Sequence, residues 1–125
     1  MDFSLLLFGA VMGGTGVALG AFGAHALQAR LPPDLLAAFE TGVRYQLVHA
    51  VTLVTLATVA RQVRSSLWRA AGWLFVIGCV LFSGSLYALA LSGTRTLGLV
   101  TPFGGVAFLA GWTCLAIAAW RGERA

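Results

Sequence analysis

The sequence predicts an all-α membrane protein: a four-transmembrane-helix bundle with an amphipathic interfacial helix between spans one and two. Three observations predict it. The 125 residues are 59% hydrophobic and only 10% charged, whereas a soluble domain is about one quarter charged, and the mean hydropathy is +0.90. Four apolar stretches each approach the ~20 residues needed to cross the hydrocarbon. The first stretch carries a rhythm of glycines that suits helix packing in lipid. Long, non-alternating apolar runs exclude a β-barrel, leaving helices as the spanning elements.

The length allows one domain, 1–125. The first span is expected at about Leu5–Ala24. Within it Gly9, Gly13, Gly16, Gly20 and Gly23 recur at spacings of four, three, four and three, which puts all five on one helix face. In a bilayer such a groove lets a neighbouring backbone approach closely. In water each glycine would cost roughly 1 kcal/mol against alanine. Ala24-His25-Ala26 has the form of a signal-peptidase site, but the start carries Asp2 and no basic residue, so this helix is expected to be retained.

The connection from His25 to Thr41 contains Leu31-Pro32-Pro33-Asp34, a helix start with proline in the first turn. Leu35, Leu36 and Phe39 follow, with Asp34, Glu40 and Arg44 offset. This segment, about 33–41, reads as an amphipathic helix at the interface, either running on into the second span with a bend at Gly42 or broken there. The second span is expected at about Val43–Ala60 and the third at about Ala70–Leu91. Between them lie Arg61, Arg64 and Arg69, with Trp68 as an interface anchor. The short connection Ser92–Thr96 makes a hairpin of spans three and four. Thr101-Pro102 reads as cap and first residue of the fourth span, about 102–120, in which Gly104, Ala107 and Gly111 form a second small-residue stripe.

All 8 basic residues are arginine, against 4 acids. With four spans, Arg61, Arg64, Arg69, Arg121 and Arg124 share one side, against Arg30, Arg44 and Arg95 on the other. The asymmetry places both termini in the cytoplasm of a cell (inner) membrane protein. No basic patch interleaved with aromatics is present, so nucleic acid is not an expected partner. The expected partners are the lipid bilayer and a second copy of the chain or another membrane protein.

Polarity concentrates in one leaflet. His25 lies where span one ends. Glu40, Arg44, Tyr45 and His49 line the start of span two, Ser83, Ser85 and Tyr87 the outer half of span three, and Thr101 opens span four. Glu40 with Arg44, and Tyr45 with His49, stand at i, i+4. Tyr45 and His49 are expected to point inward, with His49 bonded to Ser83 or Ser85, because an unpaired polar group in hydrocarbon costs several kcal/mol. The cluster reads either as a structural pin or as a ligand pocket. Thr52, Thr55 and Thr58 can bond their own helix and need no further role.

No catalysis, cofactor or metal is expected. His25 and His49 lie at different depths, which does not suit haem. Zinc needs three or four close ligands, and Cys79 and Cys114 are too deep to join them. Both cysteines read as small buried hydrophobes. Ser83-Gly84-Ser85 lacks the strand–turn–helix setting of a nucleophile elbow.

The runs Ala18-Leu-Gly-Ala-Phe-Gly-Ala-His25, Thr41-Gly-Val-Arg-Tyr-Gln-Leu-Val-His49, Leu81-Phe-Ser-Gly-Ser-Leu-Tyr87 onward to Ser92, Thr101-Pro-Phe-Gly-Gly and Phe108-Leu-Ala-Gly-Trp112 resemble the YgdD/YwdK-like family of small inner-membrane proteins, which has eukaryotic relatives in the transmembrane protein 256 family. The resemblance covers nearly the whole chain and implies four spans. It implies shared roles for Gly20, Gly23, His25, Thr41, Gly42, Tyr45, Gln46, His49, Ser83, Gly84, Ser85, Tyr87, Thr101, Pro102 and Gly104. It implies no particular activity. The residues alone support two readings: an interaction or accessory protein, or binding and transport of a small molecule, ion or lipid at the outer polar cluster.

Overall fold

The computed structural model describes residues 1–59 and 65–123; Arg61, Arg64 and Arg124, which carry part of the charge asymmetry, lie outside the described residues. Among the described residues four long helices follow one another: α1 Phe3–Phe22, α2 Pro33–Val59, α3 Ser66–Ser92 and α4 Thr101–Trp120. A π-helical turn, Gly23–Leu27, prolongs α1, and a 3₁₀ turn, Arg95–Leu99, leads into α4. Three of these units are long and apolar enough to cross a membrane: Phe3–Leu27, Ser66–Ser92 and Arg95–Trp120.

The helix ends follow from local chemistry. Asp2 caps α1, accepting from the backbone N–H groups of Ser4 and Leu5 at 3.1 and 3.2 Å, and Ser65 caps α3 by accepting from Trp68 N–H. Gly93 ends α3 at φ +71°, a left-handed conformation that glycine adopts without Cβ strain, and its N–H returns to Leu89 C=O. Thr101 is not a cap. It lies inside α4, whose N-cap is Val100, and its hydroxyl is engaged sideways with Ser85.

The amphipathic segment is not a separate interfacial helix. It forms the first turns of α2, which runs through Gly42 without a break. Gly42 admits a close contact: a Cβ there would stand 2.8 Å from the Tyr87 ring.

Successive helices are antiparallel and pack α1 on α2, α2 on α3 and α3 on α4. α1 meets α3 only sparingly, where Leu5 covers Gly72 and Phe8 lies edge-on to Trp73. α1 and α4 nowhere reach backbone-packing distance, nor do α2 and α4. The arrangement is therefore a staggered row, open along one side, and not a closed square.

The glycines of α1 meet α2 in order. Added Cβ atoms at Gly9, Gly16, Gly20 and Gly23 would press on Val54, Leu47, Val43 and Phe39 at 2.9, 2.7, 3.2 and 2.9 Å, and one at Gly13 would touch Ala50 at 3.9 Å. In α4, a Cβ added at Gly104 would run into the Phe82 backbone, and one at Gly111 into the Phe75 ring. Two apolar clusters result. One, at the end where the chain begins, is centred on Leu5, Leu53, Phe75, Cys79 and Phe108. The other, at the opposite end, joins Leu27, Phe39, Val43 and Ala90.

Polar contacts staple both ends. Asp2 N–H donates to Ala57 C=O, and its carboxylate pairs with Arg69 at 3.6 Å. The Ser65 hydroxyl donates to Glu123. Trp68 sends its indole N–H to Leu56 C=O at 3.3 Å. At the other end Arg95 pairs with Asp34 at 2.7 Å and holds its carboxyl below the usual range.

Gly16→Leu should lower the unfolding temperature in detergent, with an overpacking cost of about 1–3 kcal/mol, because the new side chain enters space held by Leu47. Val17 is exposed, so Val17→Leu should leave it unchanged. Equal thermal stability of the two variants would show that the glycine face does not pack.

Candidate functional site

The polar side chains between the helices form separate pins, each set by the geometry of one crossing. The Gln46 amide is buried at the centre of the widest. Its nitrogen donates to Met12 C=O and to the Thr15 hydroxyl, both at 2.9 Å, and its oxygen accepts from the Tyr87 hydroxyl at 2.7 Å. One side chain thereby ties α1, α2 and α3. Gly16 makes room for it: a Cβ there would stand 3.4 Å from the amide nitrogen.

Ser83, wholly buried, donates to Gly42 C=O at 2.6 Å and locks α2 to α3. Ser85 donates to Phe82 C=O, so its remaining contact, 2.6 Å to Thr101, is one in which the threonine hydroxyl donates. That pair joins α3 to the first turn of α4.

His49 forms the fourth pin, and its partners differ from the expected ones. Neither serine of α3 reaches it. Its Nδ1–H donates to Tyr45 C=O at 2.7 Å, which leaves Nε2 as an acceptor for the Trp112 indole N–H at 3.1 Å. These partners select the neutral Nδ1–H tautomer. The imidazole is 3% exposed. It stacks on Phe108 with centroids 3.8 Å apart and an interplanar angle of 5°, and it meets Phe75 at 5.1 Å.

Other expected members of the cluster lie elsewhere. Tyr45 is not interior. It is 43% exposed, and its ring packs on Phe82 at 4.7 Å while only its backbone bonds His49. Glu40 and Arg44 are exposed and, among the described residues, form no ion pair with each other. His25 is exposed on the π-helical turn. Thr52 and Thr55 bond the carbonyls four residues earlier, and Thr58 the one three earlier. Among the described residues no three His, Cys, Asp or Glu side chains are grouped to hold a metal.

What the pins leave open is a cleft between α2 and α4, floored by α3. Tyr45, His49, Phe82, Phe108, Leu109 and Trp112 line its main lobe, of about 400 Å³. A second lobe of about 360 Å³ continues past Tyr45, His49 and Trp112 to Val48 and Arg44. Gly105 also lines the main lobe, and a Cβ there would meet nothing. The aromatic walls suit an apolar guest, and Arg44 is the one charged side chain on either lobe.

Trp112, Phe108 and Gln46 stand out in the sequence only as members of the family-like runs. A tryptophan in the middle of an apolar stretch is the available sign, since an indole N–H surrounded by hydrocarbon needs an acceptor.

A tight local pairing makes a measurable claim. Trp112→Phe leaves Nε2 of His49 without its donor, and a double-mutant cycle with His49→Phe, read by reversible unfolding in mixed micelles, should give a coupling of about 0.6–1.7 kcal/mol. Additive effects would mean the bond is absent in solution.

Residues 19–105 match the family described as "protein of unknown function (DUF423)". The chain is 46% identical over 121 residues to the "UPF0382 inner membrane protein YgdD" of Escherichia coli K12, covering 96% of this chain and 92% of the relative. It is 42% identical over 115 residues to the "UPF0382 membrane protein YwdK" of Bacillus subtilis, covering 91% and 94%. A Staphylococcus haemolyticus "UPF0382 membrane protein" is 39% identical over 117 residues, covering 93% and 94%. No solved structure matches.

Proposed function

The chain belongs to the DUF423 family of membrane proteins, and from that premise we propose that it is a four-span, non-catalytic protein of the cell membrane that works by lateral association, as a homo-oligomer or as an accessory subunit of a membrane complex. The observation that carries this reading is the division of labour among its side chains. His49, Gln46, Ser83, Ser85, Tyr87 and Thr101 are spent on holding helices together, so they serve the framework. The outward faces stay apolar and unpartnered. On α1, Ala10, Gly14 and Ala18 form an exposed small-residue row beside the groove that α1 makes with α2. That face suits a second transmembrane helix.

The fourth span is α2. Its 27 residues exceed the ~20 that cross the hydrocarbon. Its two most polar central side chains, Gln46 and His49, are buried and partnered inside the protein, which offsets the cost of placing them in lipid. The arginine asymmetry puts both termini in the cytoplasm, so the Asp34–Arg95 end faces outward. A second reading, binding of a small molecule, ion or lipid on that outer side, is favoured by the α2–α4 cleft.

Two measurements test this. In a cysteine-free background, Arg95→Cys should react with an impermeant thiol reagent added to intact cells and Ser65→Cys should not; the reverse pattern overturns the orientation. A Cβ at Gly14 meets nothing within the protein. Gly14→Leu should therefore keep wild-type stability while reducing self-association, read by energy transfer between labelled copies in liposomes, or co-purification of a membrane partner. An unchanged association state for this variant would exclude the α1 face.

A further inference from the structure

We propose that the α2–α4 cleft and the residues above it form a binding site for a phospholipid with a primary-amine headgroup, of the phosphatidylethanolamine class. One acyl chain lies in the aromatic cleft, the phosphate on Arg44 and the ammonium on Glu40. The site is independent of the α1 face.

Depth supports the placement. The Asp2–Arg69 pair and the end of α4 at Trp120 mark one membrane boundary. Counting ~20 residues, or ~30 Å, along each helix from there puts the other boundary near Phe22, Glu40, Leu89 and Thr101. Glu40 then stands in the headgroup layer. Arg44 lies one helical turn, ~6 Å, beneath it, where a long side chain reaches up to the phosphate. The cleft opens directly below Arg44 and runs along α4 from Pro102 to Trp112.

Charge supports the choice of headgroup. Arg44 and Glu40 are both exposed and four residues apart, yet they do not pair with each other. They present a cation deeper and an anion nearer water. A phospholipid presents the complement, with phosphate deeper and amine further out. Guanidinium forms paired hydrogen bonds to phosphate oxygens, and a primary ammonium offers three N–H donors to a carboxylate, whereas choline offers none and glycerol no charge. The cleft beneath is walled by Tyr45, Phe82, Phe108 and Trp112, with both His49 nitrogens occupied. It therefore offers an acyl chain contact without unpaired polar atoms.

The test is native mass spectrometry of the full-length protein released from detergent with equimolar phosphatidylethanolamine, phosphatidylcholine and phosphatidylglycerol of identical chains. Phosphatidylethanolamine should be retained over the other two by about threefold to fivefold, the factor an ion pair at the solvent edge supplies. Glu40→Gln should abolish that preference while keeping retention, and Arg44→Gln should lower retention of all three. Gly105 lines the cleft and a Cβ there meets nothing within the protein, so Gly105→Leu projects into the space the acyl chain would take. It should lose lipid at unchanged thermal stability, which separates a blocked site from a misfolded protein. Equal retention of the three lipids by the wild type, stronger retention of phosphatidylglycerol, or full retention by Gly105→Leu would each overturn the assignment. None of these outcomes bears on self-association through Gly14.

Discussion

Lipid offers no hydrogen-bond partners, so each polar group between these helices must find one inside the protein. Gln46 meets this constraint for three helices at once. Its two N–H donors go to α1 and its oxygen takes the Tyr87 hydroxyl of α3. Such an amide fits one rotation and one depth of each neighbour. A slip of one turn in α1 would carry Met12 and Thr15 out of reach and leave the amide unpaired. The Ser83–Gly42 and Ser85–Thr101 contacts extend the same logic along α3 and on to α4.

Two different kinds of contact complete the assembly. α1 and α2, and likewise α3 and α4, meet where glycine lets a backbone or a large side chain come close, as at Gly16 against Leu47 and Gly104 against Phe82. Without a hydrophobic drive between helices in lipid, such close approach supplies the dispersion energy of association. α2 and α4 never come that near. They are bridged by stacked rings, with His49 on Phe108 and its edge toward Trp112. The bridge leaves space beside it, and that space is the cleft. The cleft is thus the counterpart of the framework, placed where aromatic bridging replaces glycine contact.

The parts of this architecture that depend on local chain geometry were legible in the sequence. The glycine rhythm of Gly9 to Gly23 is a property of one helix, and it meets α2 in order. Pro33 opens α2 and Gly93 closes α3 for reasons internal to each. The polar pairings were less legible because they depend on rotations between helices. His49 was expected on a serine of α3, but the close α2–α3 crossing at Gly42 gives Ser83 a carbonyl instead, and the imidazole turns toward α4. Glu40 and Arg44 have the spacing of an ion pair without forming one. At Gly42 the sequence allowed a bend or a break; α2 is unbroken there, and the missing side chain admits the Tyr87 ring. The π-helical turn at His25 has no counterpart in the apolar pattern.

The bond between His49 and Trp112 also has a temporal side. Its two ends lie 63 residues apart, and ribosomes build chains from the N-terminus, so the imidazole always exists before its indole partner. Gln46 is better served at birth, because Met12 and Thr15 precede it and can receive its amide as α1 and α2 emerge as a hairpin. During that interval the imidazole has the Tyr45 carbonyl of its own helix but no donor for Nε2. Arrival of α4 ends the wait. The contact between α2 and α4 is thereby completed only with the last helix of the chain.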